Sequence, residues 1–157
     1  MKEVGPGRFR TVMSNLPTGV TVVTVGTPDG PVGMTANAVT SLSLEPPLML
    51  VCFDSTARTL PAVRDAGRFG INVLASGQDN LARLFASKKA EREKFAGVAH
   101  TVHDGIPVIE GVLAWVGCRL ERLIPGGDHT IGIGAVEAAE AGEGDPLVWF
   151  RGRYLAP

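Results

Sequence analysis

The sequence predicts a mainly β domain: an antiparallel barrel with peripheral helices. Three observations lead there. Runs rich in Val, Ile and Leu recur along the chain, among them Val20–Val25, Leu48–Phe53 and Phe69–Leu74, each bounded by turn residues. Helical patterns fall between some of these runs, but without the regular β-α alternation of a doubly wound parallel sheet. Glycine (20) and proline (11) are abundant among 157 residues, which suits many tight turns.

Residues 7–16 carry Phe9, Val12, Met13 and Leu16 at helical spacing, and Pro17-Thr18-Gly19 ends this first helix. Val20–Val25 is a β-branched strand. The turn residues Pro28-Asp29-Gly30 fold it back on a second strand that starts at Val32 and runs on through residues 33–43, GMTANAVTSLS. Read as one strand, that stretch places Thr35, Asn37, Val39, Ser41 and Ser43 on one face and Met34, Ala36, Ala38, Thr40 and Leu42 on the other. Glu45-Pro46-Pro47 breaks the chain before Leu48–Phe53. Asp54-Ser55-Thr56 can cap a helix reaching about residue 66, with Pro61 in its first turn or else with a late start, and Gly67 near its end. Phe69–Leu74 is a strand, and Ser76–Ala86 an amphipathic helix with Leu81, Leu84 and Phe85 on one face. The charge-rich segment Ser87–Lys94 follows and could be helical. Two long strands, Val112–Leu123 and Thr130–Ala139, frame the turn Pro125-Gly126-Gly127-Asp128, and Leu147–Tyr154 is the last strand. With no repeats or linkers, residues 1–157 make one domain of about seven main strands.

Composition narrows the function. Fifteen basic and 16 acidic side chains leave a formal charge of −1, which gives no support to nucleic-acid or anionic-membrane binding. No apolar run approaches the roughly 20 residues of a membrane span, and no signal peptide is recognisable, so a cytoplasmic location is expected. Cys52 and Cys118 each lie in an apolar run and read as buried free thiols, with a disulfide between them the alternative, and there is no CxxC motif. Rossmann, P-loop and nucleophile-elbow motifs are absent, and His100-Thr101-Val102-His103 lacks the companions of a metal site. No metal is expected. Any difficult chemistry would therefore belong to a cofactor.

Four features remain. Nothing ionisable lies between Asp29 and Glu45, so the polar row of 33–43 is either a solvated face or a groove that hydrogen-bonds a neutral, planar ligand. Arg58 beside Thr56, with Arg83, Lys88, Lys89, Arg92 and Lys94, is either a solvated charged surface or a phosphate site. His129 follows a glycine turn that could overlook a groove. Phe150-Arg151-Gly152-Arg153-Tyr154 could clamp a nucleotide or simply finish the sheet.

Together these pieces resemble the flavin reductase family of the FMN-binding split-barrel fold, the reductase components of two-component flavin monooxygenases. The resemblance runs through residues 17–24 (PTGVTVVT), 33–53 (GMTANAVTSLSLEPPLMLVCF), 69–75 (FGINVLA), 126–137 (GGDHTIGIGAVE) and 146–154 (PLVWFRGRY). It implies an antiparallel split barrel, a homodimer, and hydride transfer from NADH or NADPH to FMN or FAD, with a separate monooxygenase receiving reduced flavin. It also implies site residues. Thr35, Ala36, Asn37, Ala38, Val39, Ser41 and Leu42 would face the flavin, and Thr56, Ala57, Arg58, Lys88 and Lys89 its phosphate. His129 would act catalytically and in NAD(P)H binding, with Arg151, Gly152, Arg153 and Tyr154 contacting NAD(P)H. Ala38 stands where many relatives carry serine. Two alternatives share the barrel: a non-catalytic FMN-binding electron carrier and a pyridoxamine-phosphate-oxidase-like flavoprotein.

Overall fold

The computed structural model describes residues 3–156. In chain order the elements are α1 (Pro6–Met13), β1 (Thr18–Gly19), β2 (Thr21–Thr27), β3 (Gly30–Ala36), β4 (Val39–Leu44), β5 (Pro47–Asp54), α2 (Thr59–Ala66) and β6 (Arg68–Val73). There follow α3 (Asp79–Ala86), α4 (Glu91–Phe95), β7 (His100–His103), β8 (Ile106–Ile109), β9 (Ala114–Gly126), β10 (His129–Ala141), β11 (Val148–Phe150) and β12 (Arg153–Leu155). Seven strands form one antiparallel sheet in the order β3-β2-β6-β9-β10-β5-β4, while β1-β11-β12 and β7-β8 form two small sheets.

The chain itself forces the large sheet to curl. Its edge strands β3 and β4 are separated in sequence only by Asn37 and Ala38. Laid flat, seven strands would hold those edges roughly 29 Å apart at about 4.8 Å per step. The three peptide steps from Ala36 to Val39 reach at most about 11 Å. The sheet therefore wraps until its edges meet at the 37–38 bend, yet β3 and β4 do not pair, and the sheet is not closed. Bulges assist the wrapping: the register slips once between Ile133 and Gly134 and once between Val136 and Ala138, which leaves Glu121 and Glu137 as extra residues. Each bulge bends its strand and adds twist.

Apolar side chains fill both faces of β2. Val23 and Val25 pack with Val51, Phe53, Phe69 and Ile71 inside the curl, where α2 adds Leu60 and Val63. Val20, just ahead of the strand, and Val22 face outward against Leu74, Ala82, Phe85 and Phe95, beneath α3 and α4. A strand covered on both sides explains the unbroken β-branched run. The buried threonines between these valines are satisfied: Thr21 Oγ1 donates to the Ala36 carbonyl at 2.6 Å, and Thr24 Oγ1 to that of Pro107.

The structure corrects several expectations. Residues 33–43 are two strands with a bend at 37–38 and a bulge at Leu42, so the even two-face alternation does not hold. Ala36 is buried in the core and Val39 packs against it. The helix after Asp54 starts late, at Thr59, with Pro61 in its first turn. Residues 147–154 are the hairpin β11-β12, and Arg151 and Gly152 form its turn with φ of +47° and +79°. The β7-β8 hairpin was not anticipated. No helix among the described residues is long and apolar enough to cross a membrane.

Candidate functional site

Three segments meet on one rim of the curled sheet. At the bend, the Cys52 amide donates to the Ala38 carbonyl at 2.9 Å, and Cys52 in turn faces Ile131 across β5 and β10. Two residues further along the same strands Asp54 faces His129, and the Ser55 amide donates to the Asp128 carbonyl at 3.1 Å. The bend, the 54–58 loop and the glycine turn are thus locked together by backbone hydrogen bonds.

Each segment has a local cause. Gly126 pairs with His129, so Gly127 and Asp128 form a two-residue turn, and Gly127 takes φ +72° at its first position, where glycine carries no Cβ penalty. The 54–58 loop is shaped by Asp54, whose Oδ1 accepts from the Thr56 amide (2.7 Å) and hydroxyl (2.6 Å). These bonds, the side-chain one first, hold the Asp54 carboxyl below the usual carboxylate range. The bend is buttressed from both sides. Thr35 Oγ1 donates to the Ala82 carbonyl of α3 at 2.6 Å, and Asn37 Nδ2 to Thr18 Oγ1 at 3.2 Å.

The electrostatics divide this rim in two. From Gly30 to Leu44 no side chain is ionisable. Asn37, Ala38, Ser41 and Leu42 are exposed there, while Thr35 is half-buried. Beside that neutral surface lies a cationic corner. Arg58, immediately before α2, donates through Nη2 to the Lys89 carbonyl and pairs with Glu91 at 3.2 Å. Lys88 and Lys89 are exposed, and neither forms an ion pair among the described residues. His129 lies at the other end of the loop, its Nδ1 2.8 Å from Asp128 Oδ1. That hydrogen bond and the charge of the imidazole hold the Asp128 carboxyl below its usual range.

The fourth feature divides. Thr18 pairs with Trp149 and Trp149 with Tyr154, so Tyr154 lies two strands from the bend. Its ring packs at a tilt of 57° against Trp149, centroids 4.8 Å apart, and lies under the Arg83 guanidinium at 4.9 Å. Arg151 is tied to the end of α1 instead: its Nε and Nη2 donate to Asn15 Oδ1 at 2.8 and 2.6 Å. Arg153 and Gly152 are exposed. Lys94, grouped above with the surface charges, is buried. Sequence reasoning missed Thr18 and Glu91, because their partners lie 19 and more than 30 residues away.

A neutral hydrogen-bonding surface beside a cationic corner fits a ligand that joins a planar heterocycle to a phosphate. Among the described residues no three His, Cys, Asp or Glu side chains are grouped to hold a metal. The family model for the flavin reductase like domain matches residues 13–156. The chain belongs to the flavin reductase-like family. Among its relatives is the reductase subunit HsaB of a Mycobacterium tuberculosis flavin-dependent monooxygenase, 39% identical over 97% of this chain and 82% of that one. Another is the NADH-dependent FMN reductase AsuE2 of Streptomyces nodosus, 40% identical over 97% of this chain and 85% of that one. The Streptomyces globisporus NADH:FAD oxidoreductase SgcE6 superposes with a TM-score of 0.91 at 38% identity, covering 99% of this chain and 96% of that one.

Proposed function

We propose that this flavin reductase-like chain is an NAD(P)H:flavin oxidoreductase that supplies reduced flavin to a separate monooxygenase. The meeting of the uncharged 37–38 bend, the cationic 54–58 and 88–89 segments and the His129 turn on one rim carries this reading. The fold is read as a split barrel, since the curled sheet leaves its seam unpaired.

A bound flavin supplies the acceptor for a hydride that NAD(P)H donates. The chain's own groups bind and orient. The Asn37 side chain, with its Nδ2 anchored on Thr18, keeps its carbonyl oxygen for the ring, and the exposed backbone at Ala38 adds close approach without charge. Thr35, Ala36 and Val39 set the shape of the bend, and Ser41 and Leu42 extend its edge. Thr56, Ala57 and Arg58, with Lys88 and Lys89, receive the phosphate. His129, with Nδ1 engaged by Asp128, presents Nε2 toward the nicotinamide. Tyr154 and Arg153, with Gly152 and Arg151 at the hairpin turn, complete the NAD(P)H side. NADH is the donor named for both AsuE2 and SgcE6, which supports NADH over NADPH, while their flavins, FMN and FAD, support either acceptor.

The working form is a homodimer in the cytoplasm. Phe9, Val12, Met13 and Leu16 make an apolar stripe on and just after α1 that is 42–59% exposed, and burial against a second copy would remove it from water. The test of activity is direct. Purified protein mixed with NADH and an excess of FMN or FAD should consume many equivalents of NADH, followed at the nicotinamide absorbance band. A yellow protein that ignores NADH would support the electron carrier and end the reductase reading.

A further inference from the structure

We infer that Glu91 is a positioning residue that orients Arg58 toward the flavin phosphate while leaving the corner cationic. The inference rests on the proposed role of Arg58. The Glu91 carboxylate, with its side chain only 17% exposed, accepts two hydrogen bonds and forms an ion pair with Arg58. Its Oε2 accepts the Gly33 amide of β3 at 2.9 Å, and its Oε1 lies 3.1 Å from Lys94 Nζ and 3.2 Å from Arg58 Nη2.

An Arg-Glu pair alone would cancel the charge a phosphate needs. Lys94 prevents this. Its side chain is 5% exposed, and its ammonium uses its three donors on the Gly33 carbonyl (3.2 Å), the Phe85 carbonyl (3.5 Å) and Glu91. The buried ammonium requires a counter-charge, which Glu91 provides. The Arg58-Glu91-Lys94 triad therefore keeps a net charge of +1, and the outermost member, Arg58, is the one that faces water with its side chain 54% exposed. Only Nη2 of its guanidinium is engaged, by Glu91 and the Lys89 carbonyl, so Nε and Nη1 have no partner among the described residues. The same carboxylate ties this corner to Gly33, four residues before the Asn37 bend.

The test compares binding of FMN with that of riboflavin, which lacks the phosphate, by fluorescence titration of the wild type, Arg58→Ala, Glu91→Gln and the double variant R58A/E91Q. Glu91→Gln should lower the FMN-over-riboflavin preference by about 2- to 5-fold, a modest effect because Arg58 is half exposed and because the lost carboxylate also takes one negative charge away from the phosphate. In the Arg58→Ala background it should lower that preference no further. If Glu91→Gln leaves the buried Lys94 charge unbalanced and the protein unfolds, E91Q/K94M removes both charges and is compared instead, with the same expected loss. Equal weakening of FMN and riboflavin, or an undiminished Glu91 effect without Arg58, would overturn the inference while the phosphate role of Arg58 stands. An unchanged preference in Arg58→Ala would remove that role and the inference with it.

Discussion

His129→Ala should slow flavin reduction without loosening the flavin. His129 is the first residue of β10, its side chain is 42% exposed, and its one side-chain hydrogen-bond partner among the described residues, Asp128, is almost fully in water. Nothing in the core leans on it, so truncation should change stability by no more than about 0.5 kcal/mol. The contacts proposed for the flavin come from the 37–38 bend and the Arg58 corner, which keep their own anchors in Thr18, Lys89 and Glu91. What is lost is one polar contact to the reacting pair, worth about 1–2 kcal/mol, or roughly 5- to 30-fold in rate. Because the ring is half exposed and screened, the lower part of that range, about 5- to 10-fold, is expected. Anaerobic stopped-flow reduction of bound flavin by NADH measures the step, and titration of oxidised flavin measures binding. Asp128→Asn retains an oxygen for the imidazole to bond and should cost only about 2- to 3-fold. A His129→Ala rate within twofold of wild type, or a flavin Kd that rises in step with the rate loss, would refute the assignment.

Four further outcomes follow from the same geometry. Phe9→Glu with Leu16→Glu should convert a dimer to monomer in sedimentation velocity, and an unchanged species would exclude the α1 stripe from the interface. Asn72, buried in β6, accepts the Ile109 amide at 2.9 Å and donates to Val22 and Thr24. Asn72→Leu leaves buried groups unpaired and should cost about 2–4 kcal/mol, lowering Tm by about 4–16 °C; a shift under two degrees would contradict this accounting of its bonds. Burial, with the Glu137 charge second, pushes the Cys118 thiol up to about 12. At pH 8 only about one molecule in ten thousand is then thiolate, so alkylation should be very slow until denaturant is added, and rapid native labelling at Cys118 would refute its burial. Because the Asp54 carboxyl is depressed in the folded state, its contribution to the 54–58 loop is present above the ordinary carboxylate value and lost as pH falls below it. The Thr56 amide resonance should hold still down to about pH 4 and move below it, and movement at higher pH would break the link.

The sheet and the site were legible in the sequence to different depths, for a physical reason. Thr21–Val25 and Phe69–Val73 read as strands from their own residues, and the structure agrees, burying both faces of β2 and most of β6. The turn at Gly127 and the hairpin it closes follow from two residues and their local geometry. The 33–43 stretch was legible as composition and not as geometry. Its lack of charge is a property of residues one by one, whereas the bend at 37–38 arises because one chain must serve both edges of a curled seven-stranded sheet. Arg151 shows the same limit, for the FRGR run reads as a strand until its positive φ and its bonds to Asn15 turn it into a hairpin corner.

Lys94 is the sharpest case. In sequence it is one more cation in a run of charges on a short helix, and a five-residue helix has little stability of its own. What buries it is the carbonyl pair of Gly33 and Phe85, one of them 61 residues distant. Gly33 permits that approach because it has no side chain: a Cβ there would lie 2.8 Å from the Phe85 ring and 3.2 Å from that of Phe95, so both rings would have to shift. The glycine opening the uncharged stretch thus does two things at once. It admits the aromatic packing that brings α4 down, and through its amide and carbonyl it receives the Glu91-Lys94 pair that steadies Arg58. The neutral and cationic halves of the rim are therefore joined at Gly33, and a change there should reach both.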